Sequence, residues 1–81
     1  MIVNLEIIKE KRKLKGYTIN DMATSLGLTN ASMYYKREAG QYKFKAEEVM
    51  MVARLLEIPM DKLFLSDQYS KIDITGKKQI I

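Results

Sequence analysis

The segment TINDMATSLGLTNASMYYKRE, Thr18 to Glu38, decides how this chain folds. Thr18-Ile19-Asn20-Asp21 reads as a capping box, with Asp in the place where Glu is commoner, and opens a helix. Met22, Ala23 and Leu26 make that helix's apolar face, and Gly27 ends it where a left-handed backbone is expected. Leu28 is the apolar residue after the turn. Thr29 then caps a second helix, Asn30 to about Glu38, with Met33 pointing inward. Two helices joined by so short a turn cross at roughly 90–120° and approach closely at one point. Ala23 is small enough to allow that approach, Gly27 supplies the positive φ of the turn, and Met33 fills the elbow.

Helical periodicity continues on both sides. Asn4 caps a first helix that runs to about Lys15 and stops at Gly16. Leu5, Ile8 and the stem of Arg12 lie on one side of it, with Ile7, Lys11 and Leu14 as a second line. After Gly40 comes a loop, Gln41 to Lys45, whose Phe44 is expected to anchor in the core. A fourth helix spans about Ala46 to Glu57, with Val49, Met50, Ala53 and Leu56 recurring at helical spacing and Val52 and Leu55 widening the stripe. Pro59 starts a short fifth helix, Met60 to about Leu65, with Leu63 and Phe64 inward. Residues 66–81 change character: Lys71-Ile72-Asp73-Ile74 alternates and Thr75-Gly76-Lys77 reads as a turn. This stretch fits a short strand pair, an ordered arm or a frayed tail. The expected architecture is all-α: a five-helix domain over residues 1–65, with 66–81 as a C-terminal arm.

Composition limits the chemistry. The 81 residues contain no Cys and no His, which removes disulfides, thiolate nucleophiles and the commonest metal ligand and general base. No paired carboxylates stand in a pocket-like context, so the chain reads as a non-enzyme without cofactor, metal or small-molecule substrate. The longest apolar run is the five residues Val49–Ala53, too short to span a membrane. The N-terminal Met-Ile-Val-Asn-Leu-Glu lacks the basic and apolar regions of a signal peptide, so the expectation is a cytoplasmic protein. The net charge of +4 is unevenly spread. Lys9 to Lys45 carries nine basic and three acidic residues, whereas 46–81 carries five basic and six acidic. That asymmetry points to a polyanion, nucleic acid first, or else to a solvated lysine-rich face.

The 18–38 segment resembles the helix-turn-helix of phage repressors of the Cro type and the wider Xre-like family. The helix before Gly16-Tyr17-Thr18, the helix after Phe44 and the Leu-Glu-Ile-Pro-Met-Asp-Lys-Leu-Phe run of 56–64 also look like that family's five-helix, lambda-repressor-like DNA-binding domain. The resemblance covers about residues 4–65. It implies a sequence-specific duplex-DNA-binding transcription regulator that acts at an operator. Thr29 and Asn30 would begin the recognition helix, facing phosphate and the first base edge, with Asn30 suited to adenine. Ala31 would lie against a thymine methyl. Tyr34 and Tyr35 would reach a base or a phosphate, and Lys36, Arg37, Tyr42, Lys43 and Lys45 would grip backbone phosphates. The N-terminus of the helix that Thr18 opens would offer N–H groups to another phosphate.

Three positions depart from the family pattern. Ile19 stands where a DNA-contacting Gln is frequent, and Lys36 occupies a slot that is often large and apolar. The family's Glu near the end of helix three, partner to an Arg on helix one, is displaced here, leaving Glu38 to pair with Arg12. A rival reading is a protein-binding module, antirepressor-like or antitoxin-like, that uses Ile19 and the two adjacent tyrosines as an apolar patch. A homodimer through the C-terminal arm and helix five, with Leu65, is also expected.

Overall fold

A helix ends where the chain can close its last carbonyls, and four helices of this protein end in one way. Tyr17 N–H donates to Arg12 O, Leu28 to Ala23 O, Gln41 to Lys36 O and Ile58 to Ala53 O, at 2.8–3.0 Å. Each bond reaches back five residues across one residue in the left-handed region: Gly16, Gly27, Gly40 and Glu57. Glu57 holds φ 56° with a β-carbon, a conformation that costs an L residue roughly 1–2 kcal/mol. The buried Ile58 that follows it holds the turn in place.

The computed structural model describes residues 2–65. The elements are β1 (Ile2–Val3), α1 (Leu5–Leu14), α2 (Ile19–Ser25), α3 (Ala31–Glu38), α4 (Ala46–Leu56), α5 (Met60–Leu63) and β2 (Phe64–Leu65). The fold is all-α, five helices in the expected order. One feature was not expected: β1 and β2 pair antiparallel, Ile2 opposite Leu65 and Val3 opposite Phe64. Asn4 N–H donates to Leu63 O at 2.7 Å beside this pair, so the two ends of the described chain are tied together. The expected arm, residues 66–81, lies outside the described residues.

Asn4 caps α1 by accepting from Ile7 N, and Gly16 follows its end, as read from the sequence. Ile8 and Arg12 are buried on its inner side, but Leu14 is largely exposed. On α4 the buried positions Val49, Val52, Ala53 and Leu56 form the inward stripe, and Met50 faces outward at 56% exposure. These residues join Met22, Tyr34 and Leu63 in one core. Helices α2 and α3 pack against each other, and α1 touches α3, α4 and α5.

Candidate nucleic-acid interface

The orientation of α3 begins with the caps of α2. Thr18 Oγ1 accepts from Asp21 N at 3.0 Å and Asp21 Oδ2 accepts from Thr18 N at 2.9 Å, completing the capping box. A carboxylate therefore sits at the α2 N-terminus, the helix start expected to offer N–H groups to a phosphate. Ala23, 1% exposed, lies at the crossing. Gly27, at φ 74°, reverses the chain into α3. The α3 cap is Asn30 and not Thr29: Asn30 Oδ1 accepts from Met33 N at 3.0 Å, and the helix starts at Ala31. This moves the register of α3 by one residue. Tyr34 is fully buried, against Glu38 and Phe44, and Met33 is half-buried beside the Leu26–Thr29 turn.

The inner face of α3 is a set of satisfied polar groups. Glu38 accepts from Arg12 Nε at 2.9 Å and Nη2 at 3.1 Å, a bidentate pair, and from Tyr34 Oη at 2.8 Å. Arg12 Nη1 also donates to Tyr17 O at 3.0 Å. The expected Arg12–Glu38 pair is thus present and joins α1 to α3. A second pair joins α3 to α4: Arg37 Nε donates to Glu48 Oε1 at 2.9 Å, and Arg37 Nη1 to Met33 O at 2.9 Å. Both pairs are buried. Removing one member of such a pair leaves an uncompensated charge and costs about 3–5 kcal/mol.

Two expected DNA contacts are corrected by this packing. Tyr34 has no exposed surface, because its ring stands edge-on to Phe44 and its hydroxyl is spent on Glu38. Burial, then the hydrogen bond and charge of Glu38, push its phenol far above the ordinary range, against the opposing pull of Arg12. Arg37, 4% exposed, is bonded to Glu48 and Met33 O with its face on Tyr42, so it is not presented to a phosphate at the surface. Arg37, rather than Lys36, sits in the inward slot, and Lys36 is exposed. Burial alone pushes the Glu48 carboxyl up. The hydrogen bonds from Arg37 and Lys45 N–H, with both positive charges, outweigh it and hold the group below its usual range. The pair's contribution to stability is fully present above the usual carboxylate range and falls away as pH drops from there through the lowered pKa.

The outer face of α3 is what the inner face leaves. Ser32, Tyr35, Lys36 and Ala39 are exposed and Ala31 is half-buried, recurring at helical spacing along one side. Thr29 and Asn30 are exposed at the helix start. Tyr42, Lys43 and Lys45 are exposed in the loop that follows, with the Tyr42 ring lying under the Arg37 guanidinium. Eight of the ten residues expected at the interface are therefore available to a partner from outside. Ser32 was not among them. Its spacing three and four residues before Tyr35 and Lys36 was the signal that would have included it.

Ile19 is half-buried against the core. With Tyr34 in the interior, Tyr35 is the one of the two adjacent tyrosines that is exposed. Among the described residues no helix is long and apolar enough to cross a membrane.

Comparison with known proteins gives one match. A family model described as helix-turn-helix matches residues 8–63, a span that begins inside α1 and ends at the last residue of α5. No curated protein and no solved structure matches the chain.

Proposed function

Because the chain belongs to the helix-turn-helix family of the Xre/Cro type, a family of DNA-binding transcription regulators, we propose that it is a sequence-specific regulator of the phage repressor or Cro kind that acts by occupying an operator. The observation that carries this reading is the outer face of α3, a row of small and hydrogen-bonding side chains on a helix whose inner face is locked. A helix so presented fits the major groove.

In that placement Ala31 packs on a thymine methyl, and Ser32 hydrogen-bonds a base edge. Asn30 keeps its oxygen for the cap and offers its side-chain N–H groups to the first base. Lys36 reaches guanine O6 or N7, and Tyr35 a base or a phosphate. Thr29, Tyr42, Lys43 and Lys45 hold phosphates on either side and set the register without reading sequence. The protein does no chemistry of its own in this mechanism. It competes for a stretch of duplex or recruits another factor to it. A cytoplasmic homodimer would read two half-sites about one helical turn apart. The contact proposed for it, the C-terminal arm with helix five, involves residues outside those described.

The experiment is a binding selection from random duplex DNA. A short enriched motif, repeated with two-fold symmetry if the protein dimerises, is the expected outcome. Failure to enrich any sequence contradicts sequence-specific recognition.

A further inference from the structure

The segment between α3 and α4 is fastened at almost every residue. Gly40 N–H donates to Arg37 O, and Gln41 and Tyr42 N–H both donate to Lys36 O, at 2.8–3.2 Å. The Phe44 ring stands on Tyr34 with centroids 6.0 Å apart. Lys45 N–H donates to Glu48 Oε1 at 2.9 Å, the same oxygen that accepts from Arg37 Nε. Arg37 also donates to Met33 O, and its guanidinium carbon lies 5.5 Å from the centre of the Tyr42 ring. One buried side chain therefore touches its own helix one turn back, the first turn of α4, and the aromatic ring of the loop between them.

An apolar residue would fill this inward slot on α3 without the desolvation that a buried ion pair costs. It would not supply a planar fork for Glu48 together with a cationic face for Tyr42. Stability alone does not require Arg37 and Glu48; the placement of the loop does. We infer that Arg37 and Glu48 are positioning residues that hold 41–45 in place before any partner arrives, so that Tyr42, Lys43 and Lys45 meet phosphates without first being ordered. They add affinity for every duplex and contribute nothing to the choice among sequences. This inference rests on the DNA reading above.

Two variants separate positioning from charge and from folding. Glu48→Ala removes a negative charge beside a polyanion site, so charge alone predicts tighter binding, whereas positioning predicts weaker binding. The double variant Arg37→Met/Glu48→Leu leaves net charge unchanged and fills the slot with apolar volume, which keeps the domain folded where the single variant leaves a buried charge unpaired. Affinity is measured for the selected duplex and for a random one, with hydrogen exchange at the Tyr42 and Lys45 amides. The expected result is a loss of about tenfold on both duplexes, with their ratio held within about twofold, and faster exchange at both amides. Affinity equal to or above that of the unchanged protein in the folded double variant overturns the inference. So does a collapse of the ratio, which would place the effect in α3. If the unchanged protein binds no duplex, the DNA reading fails. The Tyr42 amide, whose acceptor Lys36 O the double variant leaves in place, then decides the positioning by itself: faster exchange supports it and unchanged exchange refutes it.

Discussion

The two faces of α3 divide the labour of the protein. On the inner face Tyr34, Arg37 and Glu38 are buried: Tyr34 donates to Glu38, Glu38 accepts from Arg12 of α1, and Arg37 donates to Glu48 of α4 and to the α3 backbone. On the outer face Ser32, Tyr35 and Lys36 stand in solvent. Eight residues thus carry both a polar clamp and a reading surface. The consequence is that stability and recognition answer to different residues one or two positions apart. Inner-face changes that leave a buried partner unpaired should destabilise the domain, and outer-face changes should leave it folded and alter what it binds.

The largest effect is expected from Glu38→Ala. It strips Arg12 of its bidentate partner and Tyr34 of its acceptor at once, and should cost about 3–5 kcal/mol in urea unfolding. A loss near that of an ordinary surface substitution would show that the inner face is not the clamp described. Asn30 lies on the border between the two faces. Asn30→Ala should cost about 1 kcal/mol through the lost cap, and Asn30→Ser should restore most of it. If Ser restores stability but not affinity, the amide has a second role at the DNA. The smallest effect on stability is expected from Lys36→Ala, within about 0.5 kcal/mol in the same unfolding measurement. Its DNA affinity should nonetheless fall, more on the preferred sequence than on a random one if Lys36 reads a base and equally on both if it holds a phosphate. Unchanged affinity would remove Lys36 from the outer-face surface.

The same division explains what could be read from the sequence. Local signals were legible: the Asn4 cap, the Thr18–Asp21 box and the glycines that close α1, α2 and α3 all act within a few residues of themselves. The register of α3 was not. Thr29 and Asn30 are both good caps, and Met33 and Tyr34 are both apolar enough for the elbow. Tyr34 is held inward by Glu38 one turn on, itself fixed by Arg12 of α1, and by the edge-on ring of Phe44 beyond the helix. The resemblance implied a phosphate contact at Arg37. The partner that buries it, Glu48, lies eleven residues on. The β1–β2 pairing joins two-residue strands across nearly the whole described chain, too short to leave a pattern. Glu57 stands in a left-handed turn that its type does not favour, so the end of α4 was placed by its apolar stripe alone.

Duplex binding as a function of salt tests the central claim most directly. The outer face of α3 is flanked by Lys36, Lys43 and Lys45, all exposed, on the half of the chain that carries the excess positive charge. If about four to six phosphates are neutralised per protomer, log K should fall with log salt at a slope of roughly −4 to −5. A slope near zero, or no binding to duplex at low salt, would contradict the account.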